Sequence, residues 1–193
     1  MENLPNQFFY SKEEDRLNVI SHGIGFILSI IGLIFLLNKG LQDFKLLRFL
    51  SFLIYGISLS TMYIASTLYH NSKTPEGRYK FRLFDMVSIY LLIAGSYTPF
   101  TLTVLIDSGG LTLFLLVWVI AFIGIIWKIF TVGNYNVSST LLYIFMGGLW
   151  LFFIDAFINE IPQNALMWIY ASASTYLIAV SYTHLRAHET CVH

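Results

Sequence analysis

The chain alternates long apolar runs with short polar breaks. Val19 to Leu37 is apolar apart from Ser21, His22 and Ser29, and as a helix rising 1.5 Å per residue it covers roughly 28 Å, the thickness of a hydrocarbon core. Asn38 to Lys45 interrupts the pattern with a turn containing Gly40, and Leu46 to Tyr69 resumes it, long enough to tilt. A polar and basic stretch, Ser66 to Asp85, forms a hairpin to the third run, Phe84 to about Ile106. Asp107 to Gly110 is a tight turn, Leu111 to Phe130 a fourth run, Gly133 to Ser138 a turn, Leu141 to Ile158 a fifth run and Ala165 to about Tyr182 a sixth. The pattern predicts an all-α polytopic transmembrane bundle of six spans. Pro99 removes a backbone donor from the third span and predicts a bend there, with Gly95 losing its partner. Ala94, Gly95 and Ser96, just before it, let a neighbouring helix approach closely.

Composition agrees with this pattern. With 56% hydrophobic and 11% charged residues among 193, the chain is too apolar for a soluble domain. Its partner is the lipid bilayer, and the 17% aromatic content suits helices that end repeatedly in interfacial belts. A net charge of zero gives no sign of a nucleic-acid partner, and one cysteine, Cys191, excludes a disulfide framework or a Cys-rich metal site. The first apolar run follows the acidic cluster Glu13, Glu14, Asp15 and is long enough to span, so it reads as a first transmembrane helix and not as a cleavable signal. Residues 1–17 are polar, with Phe8, Phe9 and Tyr10 either lying in the headgroup region or belonging to a frayed terminus. Lys12, Arg16, Lys73, Arg78, Lys80, Arg82, Lys128 and Arg186 fall on one side, against Lys39, Lys45 and Arg48 on the other. The positive-inside rule then puts the amino terminus and the Ser66 to Asp85 hairpin in the cytoplasm. No repeat or linker divides residues 1–182, which read as one domain.

The candidate chemistry lies in the hairpin. Ser66 and His70 are four apart and stack on one helix face, and a short hairpin returns Asp85 to the same depth. A hydroxyl, an imidazole and a carboxylate therefore converge. His70 has two readings, a metal ligand with a serine behind it or an interfacial histidine touching water. Asp85 likewise is either a catalytic carboxylate or simply an acid favoured by the helix dipole in a first turn. His22, in Ser-His-Gly-Ile-Gly, sits at the same level and either lines the same cavity or hydrogen-bonds a neighbouring helix, while Asp155 is either a functional intramembrane acid or, as Asn159 and Glu160 after it favour, the mark of an interface. Gly23, Gly25 and Gly32 read as helix-packing positions.

The segments EEDRLNVISHGIG at 13–25, STLYH at 66–70, FRLFDMVSIYLLIAGSYTPF at 81–100 and GIIWKIF at 124–130 closely resemble the bacterial hemolysin III proteins. That group includes the adiponectin and progestin receptors and, more distantly, the alkaline ceramidases. The resemblance implies seven membrane helices and a zinc-site pattern of Ser-x-x-x-His, a downstream Asp, and His-x-x-x-His on the seventh helix. Carried onto this chain, it implies that His70 binds zinc, that Asp85 holds or deprotonates the zinc-bound water, and that Ser66 orients the site or polarises a substrate carbonyl. His184 and His188 have the His-x-x-x-His spacing, but SYTHLRAHETCVH is polar, with no apolar run for a seventh span. The expectation is that residues 183–193 are an atypical, non-native tail, that the native sequence was cut near Val180, and that this chain does not bind zinc tightly.

Three functions follow from that resemblance: a zinc-dependent hydrolase acting on a lipid amide or ester at the cytoplasmic face, a pore-forming hemolysin or channel-like protein, and a membrane receptor or homeostasis factor with structural zinc. The spans carry no charged stripe to line a pore. Neither the substrate nor an oligomeric state is fixed by the sequence.

Overall fold

The computed structural model describes residues 10–42, 44–131 and 137–189, with side chains at 137, 176, 177 and 179–189 outside that description. The expected Gly133 to Ser138 turn lies mostly outside it, as do Phe8, Phe9 and Cys191. The described residues form helices and no strand: α1 (Lys12–Leu41), α2 (Leu46–Asn71), α3 (Pro75–Pro99), α4 (Leu111–Thr131), α5 (Val137–Gly147), α6 (Ile154–Glu160) and α7 (Gln163–Glu189). Among the described residues, five stretches are long and apolar enough to cross a membrane: Lys12–Leu41, Leu46–Asn71, Pro75–Val104, Ile106–Thr131 and Ser138–Glu160. The architecture is the all-α, multi-pass helical one that the apolar pattern predicts.

Helices near the candidate site start earlier than the apolar runs do. α1 begins at Lys12, not at Val19, because Ser11 forms a capping box: its Oγ accepts from the Glu14 N–H at 3.2 Å while Glu14 accepts from the Ser11 N–H at 3.1 Å. Glu13, Glu14 and Asp15 then sit in a first turn where the helix dipole favours acids. α3 begins at Pro75, not at Phe84. Thr74 Oγ1 accepts from the Gly77 N–H at 3.2 Å, and proline in the first turn needs no hydrogen-bond partner. The polar stretch read as a hairpin is therefore two helix ends joined by residues 72–74.

Small residues dominate the interfaces among the first helices. Ser29, Ser51, Ser58, Ser60, Ala65, Ser66, Ser88 and Ala94 are buried, and most of these serines return a hydrogen bond to a carbonyl three or four residues back. The Ser29 and Ser60 hydroxyl oxygens also lie 2.9 Å apart, joining α1 to α2. Between α2 and α3, a Cβ on Gly95 would strike the Ser58 side chain. Trp118 of α4 donates to Thr98 Oγ1 at 3.1 Å, and Tyr97 donates to the carbonyls of Met146 and Gly147 at 2.9 Å.

At Pro99 the α-helical ladder stops and the chain continues as a π-helical turn, Phe100–Val104. The expected bend takes the form of a change of helical register, since proline supplies no N–H and the hydroxyls of Thr98 and Thr101 bond to the carbonyls of Ala94, Tyr97 and Thr98 nearby. The turn into α4 uses Gly109 at φ 89°, in the left-handed region open to glycine. The fifth run was expected as one helix from Leu141 to Ile158. It is broken into α5, a 3-10 stretch Leu149–Phe153 and α6, because Gly147 and Gly148 weaken the helix at its middle.

The chain divides into two compact units, Met1–Leu149 and Trp150–His193. Within the second, the Trp150 ring lies 5.8 Å from those of both Phe157 and Tyr170, and Phe157, Ile161 and Leu166 are buried. Asp155 is exposed in the first turn of α6. α7 passes the expected end at Tyr182 and runs to Glu189, as the helix-forming Leu185, Arg186, Ala187 and Glu189 permit.

Candidate functional site

His70 occupies the last turn of α2, and its ring is enclosed by α1. The spacing of Asp15, Asn18 and His22 at i, i+3 and i+7 puts all three on one face of α1, and each meets His70. Asp15 Oδ1 lies 2.9 Å from His70 Nδ1, the Asn18 amide nitrogen is 3.5 Å from the same atom, and the His22 ring stacks on the His70 ring with centroids 6.2 Å apart and planes 13° from parallel. Tyr10 and Tyr69 complete the enclosure, with ring centroids 5.3 and 4.8 Å from that of His70. Only 8% of the His70 side chain is exposed.

Arg78, from the first turns of α3, closes the cluster. Its two terminal nitrogens meet the two oxygens of Asp15 at 2.8 Å each, the paired geometry that a planar guanidinium makes with an ionised carboxylate. One of them also points at the backbone carbonyls of Ser72 at 3.3 Å and His70 at 3.5 Å, and the guanidinium carbon stands 4.8 Å from the Tyr69 ring centre. The Arg78 side chain is 2% exposed against 19% for Asp15. A buried cation is thus matched on every side that the fork presents.

Of the residues singled out in the sequence, Ser66 is buried one turn before His70 on α2. Asp85 of α3 lies against the Ser66 hydroxyl, within electrostatic range of His70 and Arg82. His22 stands beside them, half-buried, with a buried Nδ1 that meets no hydrogen-bond partner among the described residues. The backbone of His184 and His188 belongs to α7, and their side chains lie outside the described residues. Sequence reasoning missed Asp15, Asn18 and Arg78. The signal was present in Ser11-x-x-Glu14, which starts the helix early enough to make Asp15, Asn18 and His22 one stripe.

These residues fit a metal in part. A metal-binding imidazole commonly gives its other ring N–H to a carboxylate, which is what Asp15 receives from His70. Among the described residues, however, no group of three or more His, Cys, Asp or Glu could hold a metal ion. The described side chains supply one suited imidazole, and a catalytic zinc needs three protein ligands.

A second buried cation lies away from this cluster. Lys128, near the end of α4, is 1% exposed, and its ammonium donates to Ser139 Oγ at 3.3 Å. Arg82 is within electrostatic range of it. The Tyr90 and Tyr143 rings lie tilted against each other in the α3–α5 contact, centroids 4.5 Å apart, and the buried Tyr90 hydroxyl faces the side chains of Ser139 and Tyr143.

Known proteins place the chain. A profile described as Haemolysin-III related matches residues 10–192. Hemolysin-3 of Bacillus cereus is 37% identical over 166 residues, covering 86% of this chain and 76% of that protein. The Hemolysin-3 homolog of Bacillus subtilis (strain 168) is 39% identical over 145 residues, covering 75% and 67%. No solved structure matches the chain. With its membrane-spanning helices and a match that runs nearly from end to end, the chain belongs to the haemolysin-III-related family of multi-pass membrane proteins.

Proposed function

We propose that this protein is a lipid hydrolase that cleaves an amide or ester bond where α2 and α3 meet, an end that the distribution of lysines and arginines puts at the cytoplasmic face. The observation that carries the reading is the convergence of His70, held by Asp15 at 2.9 Å, with Asp85 and Ser66 beside it. His70 is the residue that would hold zinc, and a bound zinc supplies a coordinated water with a pKa of about 7. Asp85 accepts a proton from the attacking water as its oxygen adds to the carbonyl carbon. Ser66 donates a hydrogen bond to the carbonyl oxygen as charge develops there. When the carbon–nitrogen or carbon–oxygen bond breaks, Asp85 returns the proton to the leaving group, so that the products are a carboxylic acid and an amine or alcohol.

A lipid substrate also has a path to this site. An apolar groove of about 410 Å³ between α1 and α2 is lined by Gly25, Leu28, Gly32, Leu36 and Tyr55 and reaches Tyr63, whose ring centroid is 6.0 Å from that of His22. From Gly25 to Leu36 it extends along α1 for roughly 16 Å, a length of about half the thickness of the hydrocarbon core. We assign it to an acyl chain whose carbonyl lies near His22 and His70.

The test is release of fatty acid from lipid amides and esters by the protein in nanodiscs with added zinc. Loss of turnover by at least about 100-fold in His70→Ala and Asp85→Asn is expected. Equal turnover in wild type and both variants, or none in any, would sink the proposal. The name of the Bacillus cereus relative, Hemolysin-3, supports a second reading, membrane permeabilisation. Conductance in liposomes without lipid hydrolysis would favour it.

A further inference from the structure

We infer that Asp15 and Arg78 are positioning residues that hold the His70 ring as its Nδ1–H tautomer, leaving Nε2 as the nitrogen with the lone pair. The inference deepens the hydrolase reading, which gives that lone pair its use, but the tautomer belongs to the protein without metal or substrate.

An ionised carboxylate can only accept. With Asp15 Oδ1 2.9 Å from His70 Nδ1, the proton between them must therefore sit on Nδ1. Asn18 does not compete, because its amide nitrogen is 3.5 Å from the same atom and a donor there would face the Nδ1 proton. Arg78 keeps Asp15 in the accepting state and in place, since each carboxylate oxygen receives a guanidinium N–H at 2.8 Å. The same guanidinium points at the carbonyl of His70 itself, at 3.5 Å, and of Ser72, at 3.3 Å. The ring of His70 is thus fixed through Asp15 and its backbone through Arg78. A lysine has one nitrogen and could not span both. Stacked His22 on one side and the tilted rings of Tyr10 and Tyr69 on others leave the imidazole little room to turn over.

The decisive experiment is nitrogen NMR of the zinc-free full chain in nanodiscs with ¹⁵N-histidine, the His70 signals being assigned by their loss in His70→Gln. At a pH where the ring is neutral, the wild type is expected to show a protonated Nδ1 and a lone-pair Nε2. Asp15→Asn keeps the shape but has a single acceptor oxygen, which the two Arg78 donors claim. Its amide N–H then donates to Nδ1, and His70 switches to the Nε2–H tautomer. Ser11→Ala removes the capping box without touching the ring and is expected to leave the tautomer as it is, which separates positioning from a general loss of helix stability. Arg78→Lys is expected to give a mixture of the two forms. An Nε2–H ring in the wild type, or an unchanged ring in Asp15→Asn, overturns the inference. Should Asp15→Asn fail to fold, the wild-type spectrum and Arg78→Lys still decide it, because a purely Nδ1–H ring in Arg78→Lys removes Arg78 from the argument. In a parallel zinc titration, Asp15→Asn is expected to bind about 10- to 100-fold more weakly than wild type. A wild type that takes up no zinc counts against the hydrolase reading, and the tautomer measurement then judges Asp15 and Arg78 separately.

Discussion

Arg78 and Lys128 are both cations buried to within 2% of full enclosure, and the protein treats them differently. Around Arg78 the chain gathers a carboxylate on both nitrogens, two backbone carbonyls and an aromatic face from α1 and α2. Among the described residues Lys128 meets one hydroxyl across α4 and α5, at 3.3 Å, with the like charge of Arg82 in range. The contrast follows from the side chains. A guanidinium is planar and weakly hydrated and can satisfy several acceptors in one plane, while an ammonium is a compact, strongly hydrated point charge that loses much on leaving water. The Arg78 cluster is built to hold one geometry, which a site needs. Lys128 is placed without such compensation among the described residues.

Three substitutions test this difference and a fourth tests the groove, beginning with the largest effect. Asp15→Leu leaves Arg78 buried without its carboxylate and is expected to cost about 3 kcal/mol, read from thermal unfolding in detergent. A loss below about 1 kcal/mol would mean that the carbonyls and Tyr69 alone compensate Arg78. Arg78→Lys keeps the charge but gives up the fork, for an expected loss of about 2 kcal/mol in the same assay. Lys128→Met removes a poorly matched charge and should change stability by less than about 1 kcal/mol in either direction. A loss as large as that of Asp15→Leu would show that Lys128 has partners as strong as those of Arg78 and would erase the contrast. Gly32→Leu touches neither cation. A Cβ at Gly32 meets nothing within 4 Å, so stability should stay within about 0.5 kcal/mol of wild type while the groove fills. Competition between long- and short-chain lipid substrates should then shift toward the short ones, and unchanged chain-length preference would remove the groove from the site.

The apolar runs determined the fold class without help from tertiary contacts, because hydrophobic thickness sets span length and each run is bounded by polar or glycine-rich breaks. The sequence likewise carried the family, through Ser66, His70, Asp85 and the motifs around them, and it placed a helical discontinuity at Pro99. Helix ends were legible in principle and missed in practice. Ser11 with Glu14 and Thr74 with Pro75 are capping signatures, yet hydropathy outweighed them, and so the first and third helices were expected to start too late. At Gly147 and Gly148 the pattern favoured one continuous helix where weak local propensity breaks it.

Tertiary structure decided which polar groups became partners. Asp15 and Arg78 are 63 residues apart, and within the sequence each looks like one of several ordinary charges near a membrane surface. Only the packing of α1 and α3 against the end of α2 brings the carboxylate between a guanidinium and an imidazole. Hydropathy registers that a residue is polar, whereas a hydrogen bond depends on direction and distance to a few tenths of an ångström. That geometry exists once the helices have packed, and it distinguishes a carboxylate that orients His70 from the acidic neighbours beside it in the first turn of α1.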